Sequence, residues 1–208
     1  MQVKIEAIIF DLFGTLIRYR VQHHPYRQLL KWAREHGRIP QPSDARVIMT
    51  HDEGIELLTD KLRVNAPAGL LNKLTDDIET ELQSLTLFDD VEPTLEALHN
   101  SNIRLAICSN LAKPYGAVIP RLLSNFSFTH VLSYECGFIK PEPEIYKLAA
   151  AGLNVSPKEC LFVGDTYLAD YHGPCEAGMS ALHLVRDKEP FGDSIAALTD
   201  LIHGYRDK

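Results

Sequence analysis

Cysteine is scarce and scattered. The 208 residues hold four, Cys108, Cys136, Cys160 and Cys175, with no CxxC pair, which excludes a zinc knuckle and a disulfide framework. Runs of lysine and arginine are missing, and a formal net charge of -7 argues against a nucleic-acid surface. No uninterrupted apolar stretch approaches the roughly 20 residues that span a bilayer. The first residues also lack the basic segment followed by an apolar one that directs secretion, so a cytoplasmic location with no membrane partner is expected. Internal repeats and low-complexity segments are absent too. What is present is a chain 45% apolar and 24% charged, enough for one sizeable core plus an insertion or small second domain. Small-molecule chemistry is the class left standing.

The most informative stretch is Ile8-Ile9-Phe10-Asp11-Leu12-Phe13-Gly14-Thr15-Leu16. An apolar run from Val3 to Phe10, broken by Lys4 and Glu6, reads as a strand that becomes buried and stops at a carboxylate. In an open α/β sheet, ligands gather outside the carboxyl ends of strands, and Gly14 lets the backbone turn tightly there. Asp11 is therefore a candidate nucleophile, although an aspartate at such a place also caps turns and helices.

From Ile17 to about Leu87 strand-like alternation almost disappears and helical spacing takes over. Pro25, Tyr26, Leu29, Leu30 and Trp32-Ala33 predict a first helix, stopped by Gly37 and Pro40. Ser43 is placed to cap a second, which Gly54 interrupts. Leu70, Leu71, Leu74, Ile78 and Leu82 recur three or four apart and predict the clearest amphipathic helix of the chain. From Phe88 onward strands and helices alternate, the signature of a parallel sheet with crossovers. Strands are expected over 103–108, 129–133, 160–163 and 181–185, with helices opening at Val91, over 114–123 and 144–151, before Gly178, and finally over 195–202. The expected organisation is an α/β, Rossmann-like core of residues 1–16 and 88–208, with residues 17–87 inserted as a helical cap above the strand ends.

Later strand ends also finish on residues suited to chemistry: Ser109 with Asn110, Lys140 a few residues beyond its strand, and Asp165 with Asp170. Each has an ordinary alternative as a helix cap or a solvated charge. Parallel topology, however, gathers all of them along one sheet edge.

These segments together resemble the haloacid dehalogenase superfamily of hydrolases. Its four motifs are similar to Phe10-Asp11-Leu12-Phe13-Gly14-Thr15-Leu16, to Ile107-Cys108-Ser109-Asn110, to Lys140-Pro141-Glu142-Pro143, and to Val163-Gly164-Asp165 followed by Asp170 and Gly173, in the family's order and with helices where the family carries a cap. The resemblance implies a phosphatase-like hydrolase in which Asp11 attacks phosphorus and becomes an aspartyl-phosphate. It implies that the Asp11 carboxylate, the backbone carbonyl of Phe13 and Asp165 hold Mg²⁺, with Asp170 nearby or orienting Lys140. Ser109, Asn110 and Lys140 would bind the phosphoryl group of a small phosphorylated metabolite. Two like charges 4 Å apart cost about 4 kcal/mol at an effective dielectric near 20, so a phosphate dianion needs a balancing cation among three carboxylates and one lysine. Magnesium's preference for oxygen ligands suits those residue types.

One position departs from the pattern. Phosphatases of the family usually have a second aspartate two residues after the nucleophile, which protonates the leaving alcohol; here that residue is Phe13. General acid assistance is typically worth roughly 10²- to 10⁴-fold in rate, so alkyl phosphates should be poor substrates unless His23, His24, His51 or Asp52 of the insertion takes over. An aromatic residue here also resembles the 2-haloacid dehalogenases, which need neither a proton donor nor a metal. Those enzymes usually carry Ser-Asn where this chain has Gly164-Asp165. A regulatory phosphate-binding protein with weakened turnover is the remaining alternative. Arg18, Arg20, Arg34 and Arg38 are candidate contacts for an anionic substrate, and the sequence sets no oligomeric state.

Overall fold

The computed structural model describes residues 4–204. Six parallel strands form the central sheet: β1 (Ala7–Phe10), β4 (Arg104–Ser109), β5 (Thr129–Leu132), β6 (Cys160–Gly164), β7 (Ser180–Leu184) and β8 (Ser194–Ile195), in the spatial order β5-β4-β1-β6-β7-β8. The chain winds from β1 outward through β4 to β5, then returns to the other side of β1 and continues through β6 to β8. The order thus reverses around β1, which places the ligand crevice of a doubly wound sheet at its carboxyl end.

Alternation along the strands explains the two faces. Ile8 and Phe10, Leu105 and Ile107, Leu161 and Val163 enter one apolar cluster; Ala7 and Ile9, Ala106 and Cys108, Cys160 and Phe162 enter another. Helix α5 (Val91–Asn100) packs into the first through Val91, Leu95 and Leu98. Helix α8 (Pro143–Leu153) packs into the second through Ile145, Tyr146, Ala149, Ala150 and Leu153. Burial on both faces is what makes these strands read as apolar runs.

Between β1 and α5 lie four helices, α1 (Pro25–Glu35), α2 (Asp44–Met49), α3 (Ile55–Leu62) and α4 (Ala68–Ser84). Leu74 and Ile78 of α4 are buried, and Leu70, Leu71 and Leu82 pack beside them, as their spacing predicts. Gly54 separates α2 from α3, again as predicted. Short helices α6 (Val118–Leu122), α7 (Ser133–Cys136), α9 (Gly173–Glu176) and α10 (Asp200–Gly204) complete the chain. Among the described residues no helix is long and apolar enough to cross a membrane.

Several expectations need correction. Ile17–Arg18 (β2) and Thr86–Leu87 (β3) form a two-stranded antiparallel ribbon where the helical segment leaves and rejoins the sheet. Two residues per strand are too few to register as alternation. Ser43 stands at the start of α2, yet its side chain makes no capping bond; Asp44 accepts from the Gln41 backbone and pairs with Arg38 instead. Ile195 belongs to β8, paired beside Leu184, and the final helix starts only at Asp200. Ile195, Leu198 and Leu201 are all buried, so spacing of three concealed a strand followed by a turn. β1 begins at Ala7, and Val3 lies outside the described residues.

One buried carboxylate ties the helical segment together. Glu81 of α4 accepts the backbone N–H groups of His23 at 2.5 Å and His24 at 2.7 Å, and the hydroxyl of Tyr115 donates to it as well. His24 sits at a φ of 56° just before α1, an uncommon conformation for a non-glycine residue, and the bond from its N–H to Glu81 helps to hold it. Replacing Glu81 by alanine strands three donors. The expected cost is about 3 to 5 kcal/mol of unfolding free energy. Urea unfolding of Glu81→Ala measures it, and a change well below 1 kcal/mol would contradict the assignment.

Candidate active site

Asp11 leaves β1 with its backbone N–H on the carbonyl of Val163, so the strand pairing that builds the sheet also fixes the carboxylate. Leu16 and Ile17 then turn back onto the carbonyl of Leu12, closing a tight loop after it. Ser109 ends the neighbouring strand, and its hydroxyl donates to Asp11 Oδ1 at 3.0 Å. Lys140 arrives from a loop. Its Nζ lies 2.6 Å from Asp11 Oδ1 and 2.6 Å from Asp170 Oδ1, all three groups being buried. Asp170 turns its other oxygen to the backbone N–H of Thr166 at 2.9 Å, within a wide π-helical turn, Tyr167–His172.

Asp165 completes the cluster from the solvent side. Ligand oxygens of Asp11, Asp165 and Asp170 all lie within 4.8 Å of one another. Two glycines create the space. A Cβ on Gly14, whose φ is +85°, would stand 2.2 Å from Asp165 Oδ2, and one on Gly164 would stand 2.4 Å from Asp170 Cγ. Any side chain at either place would push a carboxylate out.

Three carboxylates face one ammonium, and the acid–base balance shows the surplus. Burial pushes the Asp11 carboxyl above its usual range, with Lys140 pulling it down and Asp170 pushing it further up. Burial also raises Asp165, and the charge of Asp11 adds to the rise. For Lys140 burial works against the charge, but Asp11 and Asp170 outweigh it and hold the ammonium well above its ordinary value. Lys140 therefore stays protonated. Behind it, burial pushes the Cys108 thiol up to about 12, which keeps it protonated and unreactive.

Not every expected residue takes the expected position. The carboxamide of Asn110, a residue expected at the phosphate, clasps the backbone of Lys140: Oδ1 accepts from the Lys140 N–H at 2.7 Å and Nδ2 donates to the Lys140 carbonyl at 2.9 Å. Its side chain positions Lys140. The ring of Phe13 stacks on Tyr19 at 5.0 Å and meets Tyr115 edge-on at 5.8 Å, lining a cavity of about 450 Å³ beside the cluster. Of the four groups considered as replacement acids, His24 alone lines this cavity. His51 bonds the carbonyl of Val47 and Asp52 pairs with Lys113. Arg18 pairs with Asp89, Arg38 with Asp44, and Arg20 donates to Thr86.

Sequence reasoning missed Arg186. It donates to the Thr15 carbonyl at 2.7 Å, pairs with Asp90 at 2.8 Å and lies 3.9 Å over the ring of Phe88, bracing the loop that follows Asp11. A lone arginine far along the chain carries no local signal of this. Tyr115 and Glu81 were missed for the same reason.

A haloacid dehalogenase-like hydrolase family model matches residues 5–173. The chain belongs to that hydrolase family. Among curated relatives it is similar to a glyceraldehyde 3-phosphate phosphatase of Methanopyrus kandleri, 36% identical over 55% of this chain and 52% of that protein. A phosphoglycolate phosphatase of Salmonella typhi is 33% identical over 78% of this chain and 74% of that protein. Haloacid dehalogenase-like hydrolase domain-containing protein 3 of Homo sapiens is 33% identical over 48% of this chain, and the chain spans only 40% of its length. The chain thus spans about half the length of some of the curated relatives it matches. Among solved structures, a phosphatase of the family from Thermococcus onnurineus superposes with a TM-score of 0.64 at 23% identity, covering 96% of this chain and 98% of that one. An L-2-haloacid dehalogenase from Xanthobacter autotrophicus gives 0.63 at 21%, covering 98% and 99%.

The buried triad of Asp11, Lys140 and Asp170 has a direct energetic consequence. Lys140→Met leaves two buried carboxylates without their counter-charge and is expected to lower stability by about 3 to 5 kcal/mol in chelator-treated protein. Denaturant titration reads this. A loss under 1 kcal/mol would mean the lysine is not the partner of both.

Proposed function

We propose that this hydrolase is a divalent-cation-dependent phosphohydrolase acting on a small phosphorylated compound, with Asp11 as nucleophile and Mg²⁺ as the cation. One observation carries the reading: Asp165 adds a third carboxylate beside Asp11, in space that Gly14 keeps open. A nucleophilic carboxylate working without metal gains nothing from another negative neighbour, whereas a cation site requires one. The fold is shared by phosphatases and dehalogenases alike, so the choice rests on these residues. The names of the relatives add support, since two are phosphatases of small phosphorylated compounds.

The donor set suits a hard cation: oxygen ligands only, crowded on one side of the sheet edge. Asp11 and Asp165 would hold it with the backbone carbonyl of Phe13, Asp170 standing close by, and a bound divalent cation would neutralise the carboxylates and the incoming phosphate. Lys140 keeps its proton and offers it as a hydrogen bond to the phosphoryl group beside Asp11. The Ser109 hydroxyl, which donates to Asp11 Oδ1, would turn to a phosphoryl oxygen in this reading. Asp170 and Asn110 hold Lys140 from its two ends.

Residues 17–87 act in this reading as a cap. Arg46 of α2 pairs with Glu142 and donates to the Gly137 carbonyl, both on the loop that delivers Lys140, and Lys113 pairs with Asp52. Closure of the insertion is thereby coupled to the position of the lysine. Phe13 removes the ordinary proton donor, so compounds with good leaving groups, such as acyl phosphates, should outrun sugar phosphates. The dehalogenase alternative is favoured by that same aromatic residue and opposed by Asp165.

Acetyl phosphate, glucose 6-phosphate and 2-chloropropionate, each assayed with Mg²⁺ and with chelator, separate the readings. Hydrolysis of acetyl phosphate only with Mg²⁺ is expected, falling by about 10²-fold or more in Asp165→Asn. Halide release in chelator would overturn the reading. Phe13→Asp should raise glucose 6-phosphate turnover by about 10²-fold, the low end of a general acid's worth. No rise in a folded variant would mean that another group already donates the proton.

A further inference from the structure

We propose that the leaving group of the substrate is an aromatic ring carried directly on the ester oxygen, an aryl phosphate, and that the cavity lined by Phe13 receives that ring. The proposal rests on the phosphohydrolase reading above and names its substrate class. Three observations lead to it.

First, the cavity is walled by rings. Tyr115 lies 5.8 Å from Phe13, 6.3 Å from Tyr19 and 6.5 Å from Tyr26, centroid to centroid, and Leu30, Ile48 and Met49 supply aliphatic surface. A volume of about 450 Å³ holds a substituted benzene ring with room to spare. Aromatic side chains meet an aromatic guest in offset or edge-on contacts between π-systems, which a sugar or a short acid does not carry. Phe13 and Asn110, which also line the cavity, follow Asp11 by two residues and Ser109 by one. The cavity thus adjoins the strand ends that carry the nucleophile, and in the proposed mode a ring held there would direct its phosphoryl group toward Asp11.

Second, the hydroxyl of Tyr26 is buried with no hydrogen-bond partner, in a residue that lines the cavity. An unpaired buried donor is costly, and an acceptor on the guest relieves it. A ring bearing a hydroxyl, carbonyl or nitro group offers one.

Third, away from His24 at its exposed edge, the cavity offers no group that readily gives a proton to an alkoxide. The Tyr115 hydroxyl is committed to Glu81, whose carboxylate also holds two backbone N–H groups. Burial, reinforced by Glu81, pushes the Tyr115 phenol far above its usual range, and burial raises Tyr26 too. His24 stands on the exposed part of the lining. An aryl oxygen leaves without help where an alkyl oxygen does not. In the reaction an Asp11 oxygen bonds to phosphorus, the P–O bond to the ring breaks, and its electron pair departs on the aryl oxygen. Water then attacks phosphorus, the bond to Asp11 breaks, and the carboxylate is restored. One proton of the water ends on phosphate and the other on the aryl oxide, giving a phenol and hydrogen phosphate.

Phenyl phosphate, benzyl phosphate and acetyl phosphate test this with the full chain and Mg²⁺. Phenyl phosphate combines the ring with a good leaving group, benzyl phosphate has the ring alone, and acetyl phosphate the leaving group alone. The kcat/KM for phenyl phosphate is expected to exceed both others by about tenfold or more. Ala45→Trp intrudes on the cavity from α2 and should lower the phenyl-to-acetyl ratio by about tenfold; Met49→Trp repeats the test should the first variant not fold. Saturation-transfer NMR with phenol should show binding to the wild type that both variants lose. Hydrolysis of acetyl phosphate with no preference for phenyl phosphate, and a ratio unmoved by either tryptophan, overturns this proposal alone. No hydrolysis of any of the three overturns the phosphohydrolase reading and this proposal with it.

Discussion

A single ammonium shared by two buried carboxylates fixes the chemistry of this molecule. Lys140 stands 2.6 Å from both Asp11 and Asp170, and all three are buried. Buried charges persist only when paired, so the loop that carries the lysine, the end of β1 and the π-helical turn after β6 must all be in place together. The rest of the site follows. Asn110 clamps the lysine's backbone, Arg186 braces the loop after Asp11, and Gly14 and Gly164 keep Cβ atoms away from the two flanking aspartates. Asp165 then tips the balance to negative, which is the physical reason for proposing a cation there.

Much of this was legible in the sequence because it follows from periodicity and topology. Residues that alternate along β1, β4 and β6 had to face two different layers, and parallel strands had to bring Asp11, Ser109 and Asp165 to one edge. The helical stripe of α4 was equally plain. What escaped were pairings between residues with no local signature. Glu81 and Tyr115 are 34 positions apart, and Arg186 reaches back 171 to Thr15. The place of Asn110 beside Ser109 was visible, whereas the Lys140 backbone that its carboxamide clasps was not. Ile195 misled for the opposite reason: the right residues were buried, but by a strand and a turn.

Phe13 connects the two halves of the functional proposal. It takes the place of a proton donor, and its ring joins Tyr19 and Tyr115 to form the wall of the neighbouring cavity. In the proposed scheme this one residue both lowers the capacity to expel an alkoxide and builds apolar surface where a leaving group would lie. A carboxylate at that position would be desolvated against the same rings. The helical segment is held to the lysine loop by Arg46, so in the proposed scheme, where it acts as a cap, binding of the guest and placement of the phosphoryl group are mechanically linked.

The shared-cation site is tested most directly by anomalous diffraction from crystals soaked in Mn²⁺, which takes the same oxygen ligands as Mg²⁺. A single strong peak in contact with the carboxylates of Asp11 and Asp165, with Lys140 still on Asp11 and Asp170, is the expected result. Density for the three aspartates in their present places and no peak between them, at Mn²⁺ concentrations that fill other acidic sites of the crystal, would contradict it.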